Sequence, residues 1–158
     1  MPDAFTAAAR HILDEAVAEM TSAIEGASAD ALNWQPAGEG TNSIAVLAVH
    51  SMSSTRSWLS VATGAPLPDR DRDSEFLATT RDAADLLAFV TSLRDDSRRL
   101  LVSADLPDWS VMRKTHARPS PDADPDVTAA WALIHALEHL REHTGQMLLT
   151  RQLWDRRS

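Results

Sequence analysis

The chain has 158 residues and a formal net charge of −8 at pH 7, and 44% of its residues are hydrophobic. This length suits one domain over residues 1–158 with an ordinary hydrophobic core. The acidic balance and the lack of a basic stripe argue against nucleic acid, since phosphate binding needs clustered cations. No apolar run reaches the roughly 18 residues of a membrane helix, and the N-terminus lacks the pattern of a secretory signal. We therefore expect a cytoplasmic protein without a membrane partner.

Cysteine is absent. Its absence excludes disulfides, thiolate metal ligands and a cysteine nucleophile, so any thiol chemistry needs a thiol on a substrate or cofactor. Of the 15 basic residues only Lys114 is a lysine. This arginine bias is typical of a GC-rich genome.

The first predicted helix runs from about Asp3 to Ile24 and ends at Gly26. Apolar residues recur along it at steps of four or seven and predict one stripe, formed by Phe5, Ile12, Ala16, Met20 and Ile24. Residues 27–41 form a connector, which Leu32 and Trp34 should pack down.

A second helix should begin at Asn42 or Ser43, because both are good N-cap residues, and should run to about Thr63. Gly64 follows and stops it. The polar and charged segment from Pro66 to Ser74 predicts a solvated loop.

The third predicted helix begins after Thr79 or Thr80, has Asp82 in its first turn and continues to about Val102. An irregular stretch follows over residues 104–124. A loop of that length in a compact domain is usually functional or mobile.

The last predicted helix opens at Asp124-Pro125, an N-cap followed by proline at the first helical position, and runs to about Leu153. No segment alternates at period two long enough to predict a strand. Four amphipathic helices with connectors predict an all-α protein, a four-helix bundle.

Three histidines lie in the last predicted helix at spacings of four: His135, His139 and His143. A step of four advances a side chain by only about 40° around a helix, so their Cβ atoms lie roughly 5–6 Å apart. Two imidazoles at this spacing can bind one metal ion. Neither His-Glu-x-x-His nor Glu-x-x-His occurs, which argues against a zincin and a carboxylate di-iron bundle.

His50 is the natural third ligand, because it lies among apolar residues of the second predicted helix, where a buried imidazole needs a hydrogen bond or a metal. The alternative is a hydrogen-bonded core histidine, which is the commoner role for a single histidine on an apolar face. His135 is interpreted as a partly exposed neighbour and not as a ligand. His11 and His116 are interpreted as surface residues without partners.

Two segments resemble the DinB-like superfamily. The stretch L-N-W-Q-P-A-G-E-G-T-N-S-I-A-V-L-A-V-H, from Leu32 to His50, is similar to that family's approach to its first metal histidine. The run H-L-R-E-H-T-G-Q, from His139 to Gln146, resembles the family's final-helix motif. The two segments lie about ninety residues apart in the expected order, and the bundle extends the resemblance over nearly the whole chain.

The resemblance implies an up-up-down-down four-helix bundle with a divalent metal bound by His50, His139 and His143. Nickel, zinc, iron and manganese all suit three imidazoles. Relatives include mycothiol-dependent maleylpyruvate isomerase and thiol transferases that use mycothiol or bacillithiol. The isomerase branch has glutamate as its middle ligand, so His139 argues against isomerase activity itself.

The resemblance also draws attention to Gly145 and Gln146. A glycine inside a helix costs about 1 kcal/mol relative to alanine, and close approach of another helix or chain would compensate for it. Gln146 would orient a ligand, or it is an ordinary polar helix residue.

The resulting hypothesis is a metal-dependent enzyme that joins a low-molecular-weight thiol such as mycothiol to a small electrophile, with metal-dependent hydrolysis as a variant. The alternative is a non-catalytic metal-binding or stress-response bundle that works through partners. A cavity beside the metal would favour catalysis, and Trp34, Trp58 and Trp109 are candidates to line it or to lie in the core or an interface. The resemblance further implies a homodimer.

Overall fold

The protein is described by a computed structural model that covers residues 4–103, 108–115 and 125–157. Within these residues the regular secondary structure is helical apart from one two-stranded pairing, which confirms the all-α prediction. The elements in chain order are α1 (Ala4–Ile24), α2 (Ala29–Asn33), α3 (Ile44–Thr63), α4 (Arg72–Glu75), α5 (Ala83–Ser103), β1 (Met112–Arg113), β2 (Val127–Thr128) and α6 (Ala129–Asp155). No helix in the described part of the chain is long and apolar enough to cross a membrane.

Helix α3 begins and ends as the sequence predicts. The Ser43 side chain caps it by accepting a hydrogen bond from the Val46 N–H, and Gly64 ends it in the left-handed conformation at φ 73°. The preceding connector contains the short helix α2, which the sequence did not predict. Leu32 in α2 is fully buried, as expected.

The four long helices form a ring in which α1 and α3 each pack against both α5 and α6. Their facing sides build one core, whose largest fully buried side chains include Leu13, Met20, Met52, Leu133 and Leu140. Two members of the predicted α1 stripe do not belong to it, because Phe5 and Ile12 are 40% and 37% exposed. Both lie where α1 borders α6 on the outside of the bundle.

Contacts between the long helices give their directions. Helices α3 and α6 are antiparallel, because His50 contacts His143 while Trp58, further along α3, contacts the earlier Trp131.

Helices α1 and α6 are parallel. Glu19 pairs with Arg141 at 3.0 Å, and Ala23, further along α1, accepts a hydrogen bond from the later Arg151 at 3.2 Å.

Helices α3 and α5 are also parallel. Val49 and Phe89 line one cavity between them, Arg56 bonds Asp96 further along, and Thr63 and Leu100 line a second cavity near their ends.

The bundle therefore runs up-down-down-up, and the predicted up-up-down-down order is wrong.

Because α3 and α5 point the same way, the segment between them must return along the bundle for about the 30 Å that a 20-residue helix spans. We call this segment, residues 65–82, the crossover. Hydrogen bonds between Asn33 and Thr80 fix its far end beside α2. The predicted solvated loop, Pro66 to Ser74, overlaps α4, and the buried Glu75 directly follows it.

Helix α6 begins later than predicted. Residues 127–128 are held extended because they pair with residues 112–113 in an antiparallel register. The N-cap of the helix is therefore Thr128, whose side chain accepts a hydrogen bond from the Trp131 N–H. Asp124, the predicted N-cap, lies outside the described residues. Helix α5 was predicted to begin after Thr79 or Thr80 with Asp82 in its first turn, but it begins at Ala83, and the Asp82 carboxylate accepts a hydrogen bond from the Asp85 N–H.

The left-handed turn at Gly64 carries a second constraint, since a Cβ there would lie 2.8 Å from Nη1 of Arg113. We predict that Gly64→Ala lowers the free energy of unfolding by more than the about 1–2 kcal/mol that the left-handed backbone costs an L-residue. Gly26→Ala is the matched control, because Gly26 has φ +67° and nothing within 4 Å of its Cβ position. Urea denaturation should give a larger loss for Gly64→Ala, and equal losses would show that Arg113 moves aside freely.

Candidate metal centre

The structure brings together the three histidines that the sequence selects. His50 lies on α3, and His139 and His143 lie one turn apart on α6, which faces α3 across the core. One ligand nitrogen of each lies within 4.8 Å of the others. The Nε2 atoms of His139 and His143 are 3.2 Å apart. Two ligands of a tetrahedral ion with bonds of 2.0–2.1 Å lie about 3.3 Å apart, so this spacing suits a shared ion.

Hydrogen bonds select the tautomer of two of these imidazoles. Nδ1 of His50 lies 2.9 Å from a carboxylate oxygen of Glu75, and Nδ1 of His143 lies 2.8 Å from the amide oxygen of Gln146. Both partners are acceptors, so both Nδ1 atoms carry the proton and donate. The Nε2 atoms of His50 and His143 are then unprotonated, which is the form that a metal ion requires. Gln146 thus has the orienting contact that the sequence suggested.

Glu75 is the residue that completes the surroundings of His50. Its side chain is only 6% exposed and accepts two hydrogen bonds from Arg70, one from Nε at 2.7 Å and one from Nη2 at 2.8 Å. Such a fork of parallel bonds is the strongest pairing that an arginine and a carboxylate form. The buried charge is therefore compensated on one side by Arg70 and hydrogen-bonded on the other by His50.

Burial disfavours the charged forms of His50 and His139. It lowers the pKa of His139 to about 3, and the neighbouring His143 and His50 lower it further by charge repulsion. Burial also lowers the pKa of His50, against the opposing effect of Glu75. Both imidazoles are neutral at pH 7 and need release no proton to bind a metal.

Nδ1 of His139 is buried and has no hydrogen-bond partner within the described residues. A buried polar atom without a partner costs about 1–3 kcal/mol, and such costs in native proteins call for an explanation. The explanation that the geometry offers is that the protein accepts this cost because it places His139 beside His50 and His143 as a third ligand.

A recess of about 270 Å³ opens over the cluster and is lined by His50, His139 and Trp58 among others. This volume is near the lower end of the range for small-molecule sites, about 300–1,000 Å³. Of the three tryptophans considered from the sequence, only Trp58 lies here. Trp34 packs against Trp154, and Trp109 packs against Phe5.

The other histidines lie outside the cluster. His135 stacks on Trp131 with ring centroids 4.7 Å apart, and it borders the recess without joining the ligand nitrogens. His11 is exposed, as predicted, but it does have a partner, Glu15 at 3.3 Å. His116 lies outside the described residues.

Gly145 is not explained by contacts with the described residues of the chain. Nothing lies within 4 Å of the position that its Cβ would take, so the predicted approach of another helix is not found in the described residues.

Arg70 and Glu75 were not predicted from the sequence. The only signal for them is indirect, since a buried histidine among apolar residues requires a partner. Nothing in the sequence distinguishes Glu75 from its acidic neighbours Asp71 and Asp73, because its burial depends on the path of the crossover.

Comparisons with known proteins agree with this fold. A family model of the DinB superfamily matches residues 12–147, and the chain belongs to that superfamily. The crystal structure of a conserved protein from Enterococcus faecalis superimposes with a TM-score of 0.73 at 17% sequence identity. The superposition covers 94% of this chain and 95% of that one, and at this identity it shows the fold alone. The comparison with curated proteins gave no match.

Replacing Glu75 tests how far the buried carboxylate supports the cluster. Glu75→Gln keeps the size of the side chain and removes its charge, so the acceptor that fixes His50 is weakened. We predict about 10- to 100-fold weaker zinc binding, measured by competition with a chromophoric chelator.

Asp73→Asn is the matched control, because Asp73 is an exposed carboxylate on the same short helix. It should bind zinc like the parent protein. Equal affinities of the parent and both variants would show that Glu75 serves only to pair with Arg70.

Proposed function

We propose that His50, His139 and His143 hold a divalent metal ion, and that the protein is a metal-dependent enzyme that joins a low-molecular-weight thiol to a small electrophile. The observation that carries this proposal is the combination of three imidazoles whose ligand nitrogens lie close together with a recess that is lined by two of them, His50 and His139. When bound, the ion would supply Lewis-acid chemistry, which favours the deprotonated form of a thiol or a water molecule.

The residues of the chain prepare the site for this role. Glu75 and Gln146 hold two imidazoles with their proton on Nδ1, so the ligand nitrogens need no rearrangement. Three protein ligands leave a coordination position for a substrate, whereas closed structural zinc sites use four. The recess supports catalysis over a purely structural role, because a filled site would leave no space for a substrate.

The thiol in this proposal comes from a cofactor, because the chain contains no cysteine. In the reaction, the thiol sulfur forms a bond to an electrophilic carbon, the leaving group departs with its electron pair, and the thiol proton passes to solvent. The arginine-rich composition favours a mycothiol-type thiol as the cofactor. Nickel, zinc, iron and manganese are the candidate ions.

Metal content tests the first part of the proposal. Protein purified without a histidine tag should contain near-stoichiometric metal by elemental analysis, and the His50→Ala, His139→Ala, His143→Ala triple variant should contain none. His143→Ala alone keeps the more buried positions intact and should also lose metal, whereas His11→Ala should retain it. A parent protein that takes up neither nickel nor zinc would refute the metal centre.

An activity assay tests the second part of the proposal. Metal-loaded parent should conjugate mycothiol, glutathione or cysteine to 1-chloro-2,4-dinitrobenzene with release of chloride. A rate equal to background with every thiol would refute the transferase.

We further propose that the protein forms a homodimer through the border of α1 and α6. An apolar groove of about 300 Å³ lies there, lined by Phe5, Ile12 and Ile134, with Glu138 and Arg141 beside them. A twofold contact pairs each surface with its own copy, so the opposite charges can meet across it. Gly145 follows Arg141 by one turn, and its empty Cβ position leaves room for a second chain.

Sedimentation equilibrium tests the dimer. Ile134→Glu places a charge in the groove and should convert a dimeric parent to monomers. Leu77→Glu is the control, because Leu77 is 81% exposed and lies outside the groove. A monomeric parent, or a dimer that survives Ile134→Glu, would contradict the assignment of this surface.

A further inference from the structure

The recess over the histidines is positively charged although the protein is acidic. Arg70 and Arg72 from the crossover line it, together with two serines of α3 and two histidines of α6. None of its lining residues is Asp or Glu. The chain as a whole carries 23 acidic residues against 15 basic ones. A cavity with cationic walls and no carboxylate attracts anions and repels cations.

The two arginines differ in the charge that they leave for a ligand. Glu75 engages Arg70 through both carboxylate oxygens, so the charge of Arg70 is largely compensated. Arg72 has no carboxylate within ion-pair distance among residues 4–103, 108–115 and 125–157. Its described contact is the ring of Phe76, whose centre lies 5.2 Å from the guanidinium carbon.

The contact with Phe76 also orients Arg72 toward the cluster. The Phe76 ring packs against His50 with centroids 4.5 Å apart, so the aromatic ring bridges the arginine and a candidate ligand. An arginine that lies over an aromatic ring uses the face of its guanidinium, and the N–H donors in the plane stay available. These donors match the two oxygens of a carboxylate or a phosphate.

The recess also has aromatic residues in its lining, Trp58 and His135. Trp58 contacts His135 with centroids 4.8 Å apart, and His135 stacks on Trp131. Such a surface packs against the planar or apolar body of a small ligand. The recess thus combines an arginine, an aromatic surface and two histidines of the cluster in its lining.

We infer that the substrate of this site carries an anionic oxyacid group, a carboxylate or a phosphate, which Arg72 binds while the body of the substrate lies against Trp58. This inference deepens the proposed function and rests on it, because it names the substrate class of the same recess. Arg72 would position the substrate and would not take part in bond making.

Binding of simple probes tests the inference without an activity assay. Benzoate and phenyl phosphate carry the two candidate anions, and benzamide is the uncharged analogue of benzoate. Calorimetric titration at constant ionic strength is run on zinc-loaded protein and on protein stripped of metal. We expect at least one anion to bind the parent at least tenfold more tightly than benzamide, and the tighter of the two anions identifies the group.

Arg72→Gln should weaken anion binding at least tenfold in both forms of the protein, and Arg72→Lys should restore part of it because the charge returns. The matched control is Arg81→Gln, since Arg81 is an exposed arginine of the same crossover that pairs with Asp85 away from the recess. It should bind the anions like the parent. Circular dichroism verifies that each variant is folded.

The outcomes separate this inference from the proposed metal function. Anion binding that depends on Arg72 in a protein that takes up no metal would support the inference and refute the metal centre. Zinc uptake with anion binding that is unchanged in Arg72→Gln would overturn the inference and leave the metal centre standing. Equal binding of benzoate, phenyl phosphate and benzamide would also overturn it.

Discussion

The buried carboxylate of Glu75 is the group on which the geometry of the site depends. A charged group away from water is tolerated only when its oxygens are paired, and here Arg70 and His50 together provide that pairing. The same bonds attach the crossover to α3 at the level of the histidine cluster. Without them, the orientation of His50 and the placement of Phe76 against it would lose their common support.

The direction of the helices explains how a residue of the crossover, Glu75, reaches the histidine cluster. Because α3 and α5 are parallel, the chain must return along the outside of the bundle, and its path passes His50. Helix α6 contributes its two histidines by a different route, since a spacing of four brings side chains together on any helix. The cluster therefore combines a local arrangement on α6 with a long-range one on α3 and the crossover.

The sequence predicts the local features well and the long-range ones poorly. Periodicity and capping residues locate the long helices, and the spacing of His139 and His143 predicts their shared face. His50 could be selected because an imidazole in an apolar helix needs a partner. The sequence could not identify that partner as Glu75. The up-up-down-down order that the family resemblance implied is wrong, and apolar periodicity could not correct it because it contains no information on helix direction. The segment from Pro66 to Ser74 has the composition of a solvated loop, so nothing in it indicates that the next residue, Glu75, is buried.

The candidate metal ligands and the residue proposed to bind the substrate lie in different parts of the protein. Helices α3 and α6 fix the histidines through the packed core, where substitutions are costly. Arg72 lies instead on an exposed stretch that is fastened at Glu75 and at Thr80. Changes in that stretch can alter the charge and shape of the recess while the imidazoles stay in place. A bundle built in this way can acquire new substrates by drift in one short surface segment, so relatives with the same histidines need not share a reaction.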